Sequence, residues 1–512
     1  MADYTAVLPI IILAGIAILI PGIRTLSKSD RVTGAVALIG IGISMFLVLS
    51  FLWSGDAPIT FANVIELNAF SALFMLVFLS VAAFVVIASV GFVKGEKHTG
   101  EYFALVLLAI SGMMVVAGSL DLITLFIGIE LTSLSSYSLV AFRKKDKRGA
   151  EAATKYFIYG GLSSAIALFG ISLLYGITSA YVDSGGLPAG TNPLLFTSIG
   201  AAVSAAQVTA DPILFLATVM IIAGFGFKIA LVPFHMWAPD VYEGAPTTIT
   251  AMLAAGSKKM GFVAYFKIFL IGLIAIKTDW TVLIAIIAIV TMTLGNLIAV
   301  SQTNIKRMLA YSSIAQAGYI LIALPLATIN DPANIAGYAG ITIGEYALSG
   351  GIFQIVTHAF MKGGAFIIVA ALATAAVSES IADYKGLAKR APLLAFGMTV
   401  MLFSLAGIPP LAGFASKFVL FSGPVYASQT AGNQWMIWLA VAGILNSALS
   451  LYYYSRVVKY MYVEKGPVDK IKVPLSMAVG AAICVLAVII IGLYPQPVID
   501  ACLNAARALL GT

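Results

Sequence analysis

Five charged side chains stand where a chain of this kind has no water to offer them. Glu130, Lys228, Lys258, Lys362 and Lys417 each lie well inside apolar stretches of roughly 20 residues or more, the length of a helix that crosses a bilayer. A charge at that depth is costly, so such residues face the interior of a helix bundle and mark ion or proton paths. Hydrophobic residues make up 61% of the 512-residue chain and charged residues 10%, with a mean hydropathy of +1.03. That composition excludes a soluble domain with a large core and predicts an all-α polytopic membrane protein.

Hydropathy divides the chain into about fourteen transmembrane spans. The eighth is centred on Lys258 and the twelfth on Ile408. The longest gap between spans, Tyr181 to Ala210, is small, polar and Gly-rich, so residues 1–512 are expected to form a single bundle. The first apolar run, Ala6 to Ile20, lacks a basic leader and a small-residue cleavage site and reads as a retained helix. Loops after odd-numbered spans carry Arg24, Lys28 and Arg31, then Lys94 and Lys97, then the run Arg143 to Arg148, then Lys306 and Arg307, Lys385 to Arg390, and Arg456 to Lys472. The loop after the seventh span is the exception. Even-numbered loops hold Asp56, Asp183, Asp211, Asp279 and Asp331, with Lys277 and Arg507 the basic residues of those loops and the tails. The positive-inside bias therefore places both termini outside a cell membrane.

The net charge of +7 follows the loops, so it reads as topology and contact with anionic lipid, and nucleic acid is not an expected partner. Gly224 and Gly226 ahead of Lys228 sit inside an apolar span with no strand before them, which excludes a phosphate loop. Cys484 and Cys502 have no ligand-like spacing, so no cofactor or metal is expected in this chain.

Three spans are expected to be broken. Pro233 follows Lys228 closely, Pro409 and Pro410 stand in the middle of the twelfth span ahead of Lys417, and the stretch from Tyr338 to Ala376 is too long for one simple span and rich in glycine. Proline removes a backbone donor and clashes with the preceding turn. Non-helical backbone at membrane depth is tolerated where it is buried in protein or lines a wet cavity. Broken helices five spans apart, each bearing a lysine, fit two inverted five-helix repeats. The expected division is 1–100 for N-terminal helices, 101–275 and 280–462 for the repeats, and 463–512 for a C-terminal helix.

Each buried charge has an ordinary reading beside the functional one. Glu130, flanked by Thr132, Ser133, Ser135 and Ser136, is either a helix–helix hydrogen-bonding group or the counter-charge of Lys228. A carboxylate that approaches and leaves a desolvated lysine makes a proton-loading switch. Lys258 and Lys259 are adjacent, about 100° apart on a helix, so they do not share one direction. Lys267 either extends the path or snorkels to an interface. His358 and Lys362, four apart, share a helix face and form a candidate relay, against the plainer role of a satisfied core histidine. His235 either lines an access route or anchors an interface with Trp237, and Glu345 is expected at the outer edge of the eleventh span. One acid followed by a series of basic groups predicts a hydrophilic axis across the bundle.

Several segments then carry a resemblance. IGIEL at Ile127–Leu131, KIALVPFHMWAPDVYEGAP at Lys228–Pro246, KRMLAYSSIAQAGY at Lys306–Tyr319, HAFMK at His358–Lys362 and GIPPLAGF at Gly407–Phe414 resemble the antiporter-like membrane subunits of complex I and their relatives in multisubunit cation/proton antiporters. The likeness covers nearly the whole chain and is strongest over residues 100–470. It implies proton-transfer roles for Glu130, Lys228, Lys258 and Lys417. M-type members carry glutamate where Lys417 stands and L-type members add a long lateral helix, so the chain looks most like an N-type subunit. That resemblance implies a proton-pumping subunit without redox chemistry of its own, in a complex driven by NADH or reduced coenzyme F(420). Its partners would be other antiporter-like and small membrane subunits and a peripheral arm carrying flavin and iron–sulfur clusters. A multisubunit sodium/proton antiporter is the alternative, and a carrier of an organic substrate or a passive scaffold are further ones.

Overall fold

The computed structural model describes residues 3–55, 57–205, 208, 211–333, 335 and 338–512, so Asp56 and Ala210 lie outside the described residues. The chain begins with α1 (Leu8–Ser27) and α2 (Asp30–Ser54), a short antiparallel hairpin of β1 (Ile59–Phe61) and β2 (Ile65–Leu67), and then α3 (Ala69–Phe92), α4 (Thr99–Gly118) and α5 (Leu122–Val140). There follow α6 (Lys147–Asp183), α7 (Phe196–Val203), α8 (Pro212–Ile229), α9 (Trp237–Gly244) and α10 (Thr247–Met252). A π-helical turn, Leu253–Ser257, leads into α11 (Lys258–Lys267), and a second, Ile268–Gly272, leaves it. The longer helices that follow are α12 (Lys277–Ser301), α13 (Ile305–Leu321), α14 (Ile343–Thr374), α15 (Pro392–Ala406), α16 (Ala412–Ala427), α17 (Ile437–Tyr462), α18 (Leu475–Leu493) and α19 (Gln496–Leu510). The all-α expectation holds apart from the hairpin.

Among the described residues twelve helices are long and apolar enough to cross a membrane. The expected spans around Lys258 and Ile408 are composite: the first is α10 and α11 joined through the π-helical turn, and the second is α15 and α16 with a break between them. Local chemistry sets the helix starts. Asp121 accepts from the amides of Ile123 and Thr124 at 2.9 and 2.8 Å, Asp211 caps α8 ahead of Pro212, and Thr342 with Glu345 forms a capping box on α14.

Polarity is distributed inside out relative to a soluble protein. Ile18, Leu19, Phe46, Leu486 and Ile490 are exposed on the flanks, while Lys258, Lys259, Lys362 and His358 are almost fully buried. The centre is α14, buried along nearly all of its 32 residues. Here the expectation of a third broken span fails, because α14 is continuous. Its glycines serve close approach instead. A Cβ on Gly350 would lie 3.0 Å from the backbone of Leu420 in α16, and one on Gly363 would strike the Phe84 ring of α3 at 2.5 Å. Its length, about 48 Å at 1.5 Å per residue, exceeds the roughly 30 Å of a hydrocarbon core without any break in the helix.

The basic loops meet at one end. Arg24 pairs with Asp30 at 3.0 Å and Arg143 with Glu96 at 3.1 Å. Arg143, Asp146, Arg148, Glu243, Lys306 and Glu379 line a cavity of about 320 Å³ there, and the amide of Ile471 bonds the carbonyl of Arg390. The segment after α8 carries no basic excess because it brings acids to this cluster: Asp240 and Glu243 bind Arg307 at 2.9 and 2.7 Å. At the opposite end Glu345 faces Arg507 at 3.7 Å.

Gly350→Val is expected to force α14 and α16 apart and lower stability by about 1–3 kcal/mol. Gly15→Ala, where nothing lies within 4 Å, should be near neutral. Thermal unfolding of the purified variants checks both.

Candidate functional site

Lys228 occupies the last turn of α8, which stops at Ile229 with Ala230 in the left-handed conformation at φ 57°. The helix ends before Pro233 as expected, and the lysine sits beside the negative end of its own helix. Its ammonium lies 3.7 Å from Glu130 Oε1 and donates to Ser133 Oγ at 2.9 Å and to Ser164 Oγ at 3.4 Å. Ser164 in turn donates to Glu130 Oε1 at 2.5 Å. One hydroxyl therefore stands between acid and base, accepting from one and donating to the other. The Glu130 side chain keeps 25% of its surface exposed against 7% for Lys228, so the acid lies toward the flank and the base inside.

Lys258 and Lys259 open α11 directly after the π-helical turn and take different partners. Lys258 donates to the Ser313 carbonyl at 3.3 Å and lies 5.7 Å from the centre of the Tyr242 ring. Lys259 donates to the Ala254 carbonyl at 2.9 Å and meets Nδ1 of His358 in a short contact. The family resemblance singles out Lys258; both ammoniums are buried, and it is Lys259 that reaches His358. His358 and Lys362 share a face of α14, but no hydrogen bond joins them. Lys362 instead donates to the Leu309 carbonyl at 2.9 Å and to Ser312 Oγ at 2.7 Å. Buried His358 Nε2 has no hydrogen-bond partner among the described residues.

Lys417, on α16, turns back across the break to the end of α15. It donates to the carbonyls of Leu405 and Ala406 at 2.8 and 3.2 Å and to Ser447 Oγ at 2.8 Å. Gly407 makes room. Its φ of 91° ends α15, and a Cβ there would lie 3.1 Å from Lys417 Cδ. Free carbonyls at a helix C-terminus carry partial negative charge, which is what an ammonium needs.

Lys267 proves to be neither a snorkelling side chain nor in contact with the other lysines. It is buried and donates to the carbonyls of Ala117 and Ser119, at 2.5 and 2.7 Å, closing the end of α4. His235 is buried, with Nδ1 unpartnered among the described residues. Sequence reasoning passed over Ser164, Ser312, Gln316, Gln354 and Tyr454. Ser312 bonds Tyr454, and Gln354 bonds Gln316 at 2.8 Å. Neutral polar residues at helical spacing carry no signal until a lysine is placed beside them.

Fold and site together define a polytopic antiporter-like membrane subunit. Residues 119–450 match the family described as NADH:quinone oxidoreductase/Mrp antiporter, TM, and the chain belongs to that family. It is 42% identical over 524 aligned residues to F(420)H(2) dehydrogenase subunit N of Methanosarcina mazei, covering 99% of each chain. It is 38% identical to NADH-quinone oxidoreductase subunit N of Desulfitobacterium hafniense, covering 92% of this chain and 91% of that one. Among solved structures, a chain of respiratory complex I from Thermus thermophilus superposes with a TM-score of 0.76 at 27% identity, covering 96% of this chain and 99% of that one. A chain of the Mrp complex from Dietzia shares the fold, with a TM-score of 0.83 at 21% identity over 99% of this chain and 97% of that one. The likeness to N-type subunits read from the sequence is thereby borne out.

At the basic end, Asp240 faces Lys155 at 2.8 Å as well as Arg307. Burial alone would push its carboxyl up, but those two cations outweigh it and hold the carboxyl below its ordinary range. A depressed folded-state value stabilises at neutral pH, and that stability is lost as pH falls through it. Asp240→Asn should therefore speed amide exchange over residues 237–244 at pH 7. The difference from the parent should shrink as pH drops below about 4.

Proposed function

We propose that this chain is a proton-translocating N-type subunit of a complex I-type oxidoreductase, embedded in the cell membrane with both termini outside. The observation that carries the reading is the Glu130–Ser164–Lys228 arrangement, an acid at the flank held to a buried base through one hydroxyl. When a charge change in a neighbouring subunit draws Glu130 away, Lys228 loses its counter-charge and its proton is driven toward the next basic groups, Lys258 and Lys259. Repulsion between neighbouring ammoniums carries the change on through His358 and Lys362 to Lys417. The chain itself moves protons and holds no redox group; flavin and iron–sulfur clusters belong to partner subunits of the peripheral arm, and electrons enter there from NADH or reduced coenzyme F(420). Other antiporter-like and small membrane subunits and lipid complete its surroundings. The two relatives of known name support this reading through their similarity over nearly the full chain.

Gentle purification from native membranes with mass spectrometry of the bound proteins tests the class. Flavoprotein and iron–sulfur subunits are expected. Small hydrophobic partners alone would point to a cation/proton antiporter instead. Lys228→Ala and Glu130→Ala are each expected to cut protons pumped per electron several-fold in a complex that still assembles, read by dye quenching in inverted vesicles. Unchanged pumping would remove the loading switch.

A further inference from the structure

The end of the bundle opposite the basic loops carries a cleft that the row of buried charges does not use. α12 and α17 begin at that end, and α13 finishes there. Lys277, Val282, Thr328, Asp331, Asn433 and Trp435 are among the residues that line it, around a volume of about 640 Å³. Lys277 donates to the Thr328 carbonyl at 2.9 Å, which leaves two of its N–H groups free. Among the described residues neither the Lys277 ammonium nor the Asp331 carboxylate has an ion-pair partner, and the two do not pair with each other although they line one cleft. The half-buried Trp435 indole N–H likewise donates to no described residue.

A free cation, a free anion and an indole donor on one cleft suit a ligand that carries both signs. A phosphate takes the ammonium and the indole N–H, and a primary ammonium takes the carboxylate. An anionic headgroup without an amine would leave Asp331 unbalanced, and Asp279 in the first turn of α12 adds more negative charge at the same end. Apolar surface continues from the cleft. Val282, Ile286 and Val290 form an exposed strip along α12, and Trp438, Val441 and Leu445 form one along α17. Spacings of three and four keep each strip on one helix face. Trp435 and Trp438 stand at the head of these strips, as tryptophans do at the headgroup level of a bilayer.

We propose that this cleft binds a zwitterionic aminophospholipid of the adjoining leaflet, with its phosphate on Lys277 and Trp435, its ammonium on Asp331 and its hydrocarbon chains along α12 and α17. The proposal needs the chain to stand in a bilayer and does not depend on its pumping protons.

The purified complex in nonionic detergent, photolabelled with phosphatidylethanolamine that carries a diazirine on one hydrocarbon chain, tests this. Mass spectrometry should find label on Val282–Val290 and Trp438–Leu445. Excess unlabelled phosphatidylethanolamine should remove it, and phosphatidylglycerol should not. Lys277→Gln and Asp331→Asn should each lower label at these strips several-fold, while label elsewhere on the chain stays at the parent's level. Equal competition by phosphatidylglycerol would overturn the proposal, as would label that neither substitution lowers. Loss in Lys277→Gln alone would mean a site for phosphate without the amine, and the zwitterion would be wrong. Displacement by free phosphoethanolamine at the same concentration would mean a soluble ligand, and the lipid would be wrong. The two substitutions lie on different connections, so one that blocks assembly leaves the other to decide.

Discussion

Seating ammonium groups on main-chain carbonyls is the interaction on which the rest of this structure depends. Lys417 takes the carbonyls of Leu405 and Ala406, Lys362 that of Leu309, Lys259 that of Ala254 and Lys258 that of Ser313. A charge in the membrane core is expensive unless it is hydrogen-bonded. Irregularities of the fold supply some of the acceptors: the end of α15 at the break gives Leu405 and Ala406, and the π-helical turn before Lys258 gives Ala254. Leu309 and Ser313 lie within continuous α13, where a carbonyl engaged in the helix accepts a second bond through its other lone pair.

That arrangement also explains why the row is divided into unlike parts. Glu130 and Lys228 form the one acid–base pair in the row, and the acid keeps some exposure, so it is the member that outside charges reach. The interior members rest on neutral dipoles, which hold an ammonium without cancelling its charge. Repulsion along the row therefore survives, as the proposed transfer from one end requires. At the basic end, Asp240, Glu243 and Glu379 pair with Lys155, Lys306 and Arg307, tying α9 to α13 and fixing the segment that follows the broken helix.

Much of this was legible in the sequence because membranes make charge conspicuous. Glu130, Lys228, Lys258, Lys362 and Lys417 stand out against apolar neighbours, and Pro233 and Pro409 announce helix ends. Glycine was more ambiguous. In α14 the same residues that read as a break allow α3 and α16 to pack closely, and only tertiary contact distinguishes the two uses. Lys267 has the sequence character of its neighbours yet caps α4, because its direction depends on where Ser119 ends up. The Gln316–Gln354 pair was invisible, since uncharged amides 38 residues apart have no pattern to join them.

The count of protons translocated per electron by the reconstituted complex, with Lys362→Met in the middle of the row, tests the central claim most directly. The account predicts that the count falls while electron transfer with the gradient collapsed continues at the parent's rate. An unchanged count would mean that protons cross elsewhere and that the buried row is structural.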